Sequence, residues 1–209
     1  MGKKGSKDKS TTQDSFSLLT DFDIHLFKSG KHFKLYEKLG AHLSTFNGEK
    51  GTYFAVWAPN ARGVSVIGNF NHWTDGQHKL FPRWDESGIW EGFFPTIGKG
   101  EVYKYAIHSN SGDYLEKADP FACYAETPPK TASVVWDASH AWKDKTWLEK
   151  RKKLAAKPKP YSVYEIHFGS WRRKVEEGNR SLSYKEMAVE LVQYVKDLGF
   201  THVEFLPVM

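Results

Sequence analysis

The chain has 209 residues, 40% hydrophobic and 15% aromatic, with a net charge of +5 and one cysteine, Cys123. This composition excludes a disordered protein, and a lone cysteine excludes an internal disulfide framework and suits a reducing, cytoplasmic compartment. No apolar run is long enough to span a bilayer and no signal-peptide core follows the initial Met, so no membrane partner is expected.

The position of the charge excludes nucleic acid as a partner. Residues 1–14 carry a net of +2 and residues 143–159 a net of +6, which leaves the remainder at −3. Basicity confined to a tail and a connecting segment is not a basic folded face interleaved with aromatics.

Residues 1–17 read as a polar, disordered tail, whose opening MGKKGS matches an N-myristoylation pattern at Gly2 and is equally ordinary tail composition. Residues 18–45 read as a short helical segment broken at Ser29-Gly30, capped by Asp21 or Asp23, with Ile24 and Phe27 on its buried face.

From 46 to 140 the hydrophobic period becomes two. The expected strands are Tyr53–Ala58, Val64–Gly68, Leu80–Trp84, Trp90–Phe94, Val102–His108 and Ser133–Trp136, punctuated by Pro59-Asn60, Asp75-Gly76, Ser87-Gly88 and the Gly98–Gly100 turn. Alternation puts Val102, Lys104, Ala106 and His108 on one side of their strand and Tyr103, Tyr105 and Ile107 on the other. Short strands at this spacing predict an all-β sandwich of the immunoglobulin type.

Residues 141–160 form a basic linker that ends in alternating Lys and Pro, a domain boundary. Beyond it, Ser162–Phe168 reads as a strand, Ser183–Leu198 as an amphipathic helix and Thr201–Val208 as a second strand. Ser183 and Glu186 have capping-box spacing, and Gly199 stands where a C′ glycine ends a helix. Strand, helix, strand implies a parallel pair. An eight-stranded barrel needs roughly 250 residues, and fewer than fifty follow the linker, so the chain reads as cut short.

Six segments carry a resemblance: YEKLGAHL (36–43), FAVWAPNA (54–61), VIGNFNHW (66–73), KADPFA (117–122), YEIHFGSW (164–171) and GFTHVEFLPV (199–208). In this order and spacing they resemble the amino-terminal part of the glycogen (1,4-α-glucan) branching enzymes of glycoside hydrolase family 13, over roughly residues 20–209. The resemblance implies a carbohydrate-binding module of family 48, followed by the first β-α-β unit of an incomplete (β/α)8 TIM barrel in residues 161–209. It implies α-1,4-glucan, such as glycogen, as the partner, and a reaction that moves a cut glucan segment onto a 6-hydroxyl to make an α-1,6 branch. Retaining chemistry of this kind needs two carboxyl groups about 5 Å apart. In the family these come from later barrel strands, so no catalytic residue is expected here and the remainder of the barrel would be a structural partner. Glu165 and Glu204 precede further strand residues, which suits hydrogen-bonded carboxylates of the wall better than catalysis at strand ends.

A sugar site needs an aromatic face and a polar rim on one surface. Asn69, Asn71 and Trp73 share a face only if their strand continues. The resemblance assigns Trp73 as the stacking residue, Lys104 as the lysine that binds hydroxyls, and Tyr114 as a second aromatic. The competing role for Trp73 is packing on the barrel. His72 and His167 lack metal-ligand spacing, and no metal or cofactor is expected. Two other readings stay open: a non-catalytic α-glucan-binding module, and a debranching or trehalose-forming relative.

Overall fold

The computed structural model describes residues 16–154 and 159–206. Of the tail expected over residues 1–17, residues 1–15, including the Gly2 pattern, lie outside the described residues, as do residues 155–158 of the linker and 207–209 of the last strand, whereas Phe16 and Ser17 pack into the fold. The chain divides into two compact units, residues 1–140 and 141–209.

The first unit opens with helix α1 (Asp21–Lys28). Its cap is Thr20, not Asp21 or Asp23. The Thr20 hydroxyl accepts from the Asp23 amide at 3.2 Å, and Asp23 Oδ2 accepts from the Thr20 amide at 2.8 Å, a reciprocal capping box. Burial alone would raise the Asp23 pKa, but hydrogen bonds from Thr20, His32 and Lys38 hold it well below the usual carboxylate range. Ile24 is buried and Phe27 half-buried, as expected.

Eight strands follow: β1 (Gly40–Phe46), β2 (Glu49–Trp57), β3 (Ala61–Gly68), β4 (Lys79–Pro82), β5 (Ile89–Phe94), β6 (Val102–Ser109), β7 (Tyr114–Lys117) and β8 (Ser133–Val134). Residues 40–46 are thus a strand and not the end of a helical segment. All pairs are antiparallel, in the order β1-β2-β5-β4-β3-β6-β7, with β8 also on β6. Strand β4 passes between the two halves of the sandwich: Leu80 pairs with Val64 of β3, and Phe81 pairs with Glu91 of β5.

Alternation along each strand decides what fills the space between the halves. Phe54 and Val56 from β2, Trp90 from β5, Leu80 from β4, Val64 and Val66 from β3, and Tyr103 and Tyr105 from β6 form one buried core. Full burial of each such side chain contributes about 1.5–3 kcal/mol. Tyr103 and Tyr105 donate their hydroxyls to Asp119 Oδ2 at 2.6 and 3.1 Å, so their rings are buried without stranding a polar atom. Burial pushes the Asp119 pKa up despite these bonds.

The opposite face of β2 and β5 is also covered. Leu19, Ile24 and Leu39 pack on Tyr53, Ala55 and Ile89, and Phe16 meets Tyr53 edge-on at 5.7 Å. Beneath this layer lies a buried polar network. Arg83 Nη1 donates to Glu91 Oε1 at 2.7 Å and to Ser17 Oγ at 2.6 Å, while its Nε donates to Asp85 Oδ2 at 2.8 Å. Ser17 Oγ and Tyr53 Oη donate to Glu91 Oε2 at 2.7 and 2.5 Å.

The second unit contains α2 (Lys145–Leu154), β9 (Val163–Ile166), β10 (Arg173–Lys174), β11 (Arg180–Ser181), α3 (Tyr184–Asp197) and β12 (His202–Phe205). Helix α2 falls within the stretch expected to be a plain linker. Its prolines, Pro158 and Pro160, follow its last helical residue and do not interrupt it. Helix α3 starts at the capping box of Ser183 and Glu186 and ends at Gly199, whose φ is +76°. There the Gly199 amide donates to Lys196 O at 3.0 Å and the Phe200 amide to Val195 O at 2.9 Å, a Schellman closure. Strands β9 and β12 pair in parallel, Tyr164 with Val203 and Glu165 with Glu204. Met187, Leu191 and Val195 bury themselves against Ile166 and Leu182, whereas Tyr184, Val192 and Leu198 of the expected apolar face are exposed. Glu165 and Glu204 sit side by side on the face away from this core and are exposed.

Candidate functional site

The outer face of the β3–β6–β7 sheet is set by register. Ile67 pairs with Lys104, Ser65 with Ala106, Gly63 with His108, and His108 in turn with Tyr114. Directly paired residues project to the same side, so Lys104, His108 and Tyr114 share a face. That face is the one opposite the Tyr103–Tyr105 core. On it, Ile67, Ser65 and Ala106 are buried.

That turn presents Trp73. The strand ends at Gly68, and Asn69–Asn71 form a 3₁₀ turn, so Asn69, Asn71 and Trp73 do not share one strand face. Gly68 is required where the turn leaves the sheet. A Cβ there would collide with the Val102 carbonyl oxygen and the Phe70 ring. His72 and Trp73 then adopt φ of +52° and +58°, a left-handed conformation unusual for a bulky side chain. Such strain persists only where surrounding bonds over-determine it. The Trp73 amide donates to Gly68 O at 2.8 Å, and its indole Nε1–H donates to Asn69 Oδ1 at 3.0 Å. Trp73 remains 38% exposed.

Asn71 is the knot of the turn and is buried. Its Oδ1 accepts from the Gly68 amide at 2.9 Å; its Nδ2 donates to Val66 O at 3.0 Å and reaches His78 Nδ1, as acceptor, at the same distance. Asn71 therefore shapes the site from inside and offers nothing to a sugar.

Asp75 clamps the turn to the sheet. Its carboxylate accepts from Ser65 Oγ and, at 2.5 Å, from His108 Nε2. Burial would raise its pKa, yet the hydrogen bonds from Ser65 and His108 hold it below the usual range. The His108 ring lies 5.3 Å from the ring of Tyr114, which is 46% exposed. The Tyr114 hydroxyl donates to Glu116 Oε1 at 3.2 Å, and burial together with the Glu116 charge raises its pKa.

Lys104 and Tyr114 therefore share a sheet face, and the Asp75 clamp ties the Trp73 turn to that same face. An aromatic ring on a braced turn, a lysine, and a tyrosine beside a carboxylate are the residue types that an apolar platform and a polar rim require. Sequence reasoning missed Asp75 and His108. The signal for Asp75 was present in the Asp75-Gly76 turn, but its bond to a residue 33 positions away was not. Among the described residues, no three His, Cys, Asp or Glu side chains gather as metal ligands.

Residues 38–122, which contain Trp73, Lys104 and Tyr114, match the family of carbohydrate-binding module 48 (isoamylase N-terminal domain). The 1,4-alpha-glucan branching enzyme GlgB of Aquifex aeolicus (strain VF5) is 52% identical over 195 residues, covering 93% of this chain and 31% of that enzyme. The chain is homologous to the amino-terminal part of the 1,4-alpha-glucan branching enzymes. A second branching enzyme, from Gloeobacter violaceus (strain ATCC 29082 / PCC 7421), is 50% identical across 92% of this chain and 26% of its own length. The chain thus spans about a third of these branching enzymes or less. Among solved structures, Klebsiella pneumoniae pullulanase complexed with maltotriose matches with a TM-score of 0.57 and 26% identity, over 82% of this chain and 18% of that one. A branching-enzyme match covering 93% of the chain necessarily runs past the module into the second unit.

Proposed function

We propose that the chain is the amino-terminal portion of a cytoplasmic 1,4-alpha-glucan branching enzyme, a hexosyltransferase of class EC 2.4.1.18. Its sandwich holds α-1,4-glucan on the Trp73–Lys104–Tyr114 surface, and its second unit opens the catalytic (β/α)8 barrel. The observation that carries this reading is sequence identity of about half running through both units.

The second unit supports the barrel assignment through its sidedness. Strands β9 and β12 pair in parallel, helix α3 covers one face, and Glu165 and Glu204 stand on the other, the interior face of a barrel. Domain limits follow: a terminal segment to about residue 45 that contributes β1, the module to 140, the basic stretch with α2 to 160, and the barrel start beyond.

Glucan binding is tested by native electrophoresis in gels containing glycogen. The wild-type chain is expected to be retarded, and Trp73→Ala to bind at least about tenfold more weakly, a loss of about 1.4 kcal/mol. Equal retardation of the two would remove Trp73 from the site. The 209-residue chain incubated with amylose is expected to form no α-1,6 linkages, because in the family the two carboxyl groups of retaining chemistry come from later barrel strands. Branch points above those of a boiled control would overturn that expectation.

A further inference from the structure

The sheet face that carries Lys104 continues past it. Two residues back along β6 on the same face is Val102, about 7 Å away at the rise of an extended strand. Val102 pairs directly with Val134 of β8, so both side chains floor the same side of the sheet. Above that floor opens a groove of about 500 Å³, walled by Tyr124 and Trp136 and rimmed by Glu126 and Lys130.

The walls are aromatic and open. Tyr124 is 51% and Trp136 40% exposed, with ring centroids 5.0 Å apart and planes inclined by 41°. Backbone bonds hold them in place: the Val134 amide donates to Tyr124 O at 2.9 Å, and the Gly100 amide to Val135 O at 2.8 Å. The Lys99 ammonium lies 4.4 Å from the centre of the Trp136 ring. On the rim, Lys130 Nζ meets Glu126 Oε1 at 3.4 Å.

We propose that this groove is a second α-glucan subsite, contiguous with the Lys104 face, which takes the continuation of the chain held at Trp73. The inference rests on that surface holding α-glucan. The residue types are the same in both places: a tryptophan, a tyrosine, a lysine and a carboxylate. A glucosyl unit turns an apolar face to an aromatic ring, and its hydroxyls both donate and accept. Lys130 and Glu126, which both line the groove, serve those two roles.

The test is calorimetric titration of the full chain with maltotriose and with maltoheptaose. Wild type is expected to bind the heptasaccharide at least about tenfold more tightly. Tyr124→Ala and Trp136→Ala should each bring the two affinities within about threefold. Trp73→Ala should weaken both sugars. The groove is refuted if wild type shows no preference for the longer sugar, or if folded Tyr124→Ala and Trp136→Ala variants keep it. Sugar binding insensitive to Trp73→Ala would instead sink the first surface. Should Trp136→Ala fail to fold, the half-exposed Tyr124 variant decides.

Discussion

Glu91→Ala is expected to lower the unfolding free energy of the sandwich by about 3–5 kcal/mol, the effect of removing one partner from a buried ion pair. The size follows from what remains. The Arg83 guanidinium would keep Asp85 but lose Glu91, and the Ser17 and Tyr53 hydroxyls would each lose the acceptor they share. Urea unfolding followed by circular dichroism measures the change, and a loss below about 1 kcal/mol would show that water reaches the network and replaces the carboxylate. Replacing Arg83 and Glu91 together with Met and Leu should recover only part of the loss, since Asp85 then loses its own buried partner and the Ser17 and Tyr53 hydroxyls still lack Glu91. The non-additivity of that pair is the more diagnostic readout.

Asn71→Ala should destabilise the module and disable the Trp73 turn at once. The substitution strands the Gly68 amide and removes the donor that reaches the Val66 carbonyl, at about 1–3 kcal/mol for each buried group left unsatisfied. Without this knot, the left-handed backbone at His72 and Trp73 keeps only the Trp73–Gly68 and Trp73–Asn69 bonds and the Asp75 clamp, and the turn relaxes. Glycogen retardation should fall as far as in Trp73→Ala although no sugar-facing atom has changed. A destabilised variant with full glucan affinity would show that the turn is held by other bonds.

Legibility in the sequence followed burial. The strands with two well-defined faces, β2, β3, β5 and β6, were readable because Phe54, Val66, Trp90 and Tyr103 alternate with residues of another environment. Strand β1 was taken for helix because it is an edge strand with only Gly40 of its seven residues buried. Strand β7 has all four residues exposed and offers no apolar signal at all. Helix α2 was hidden for the same reason, since none of its residues is buried and the prolines after it dominated the reading. At the site, Trp73, Lys104 and Tyr114 were legible as types at their positions. The parts of Asn71 and Asp75 were not, because they depend on which backbone groups and rings the fold brings within hydrogen-bond reach.

The layer of residues 16–39 has a consequence for the portability of the module. The family match runs from 38 to 122, yet Ser17 completes the Glu91 network and Leu19 and Ile24 roof one side of the sheet. At the other end, Ser133 receives the Asp119 amide and Val135 belongs to the inner core, again beyond the matched span. The transplantable unit is therefore larger than the homology unit that names it. Grafted onto another enzyme, residues 38–122 alone would arrive with Tyr53, Ala55 and Ile89 bared as a sticky flank, while residues 16–136 would carry their own covering.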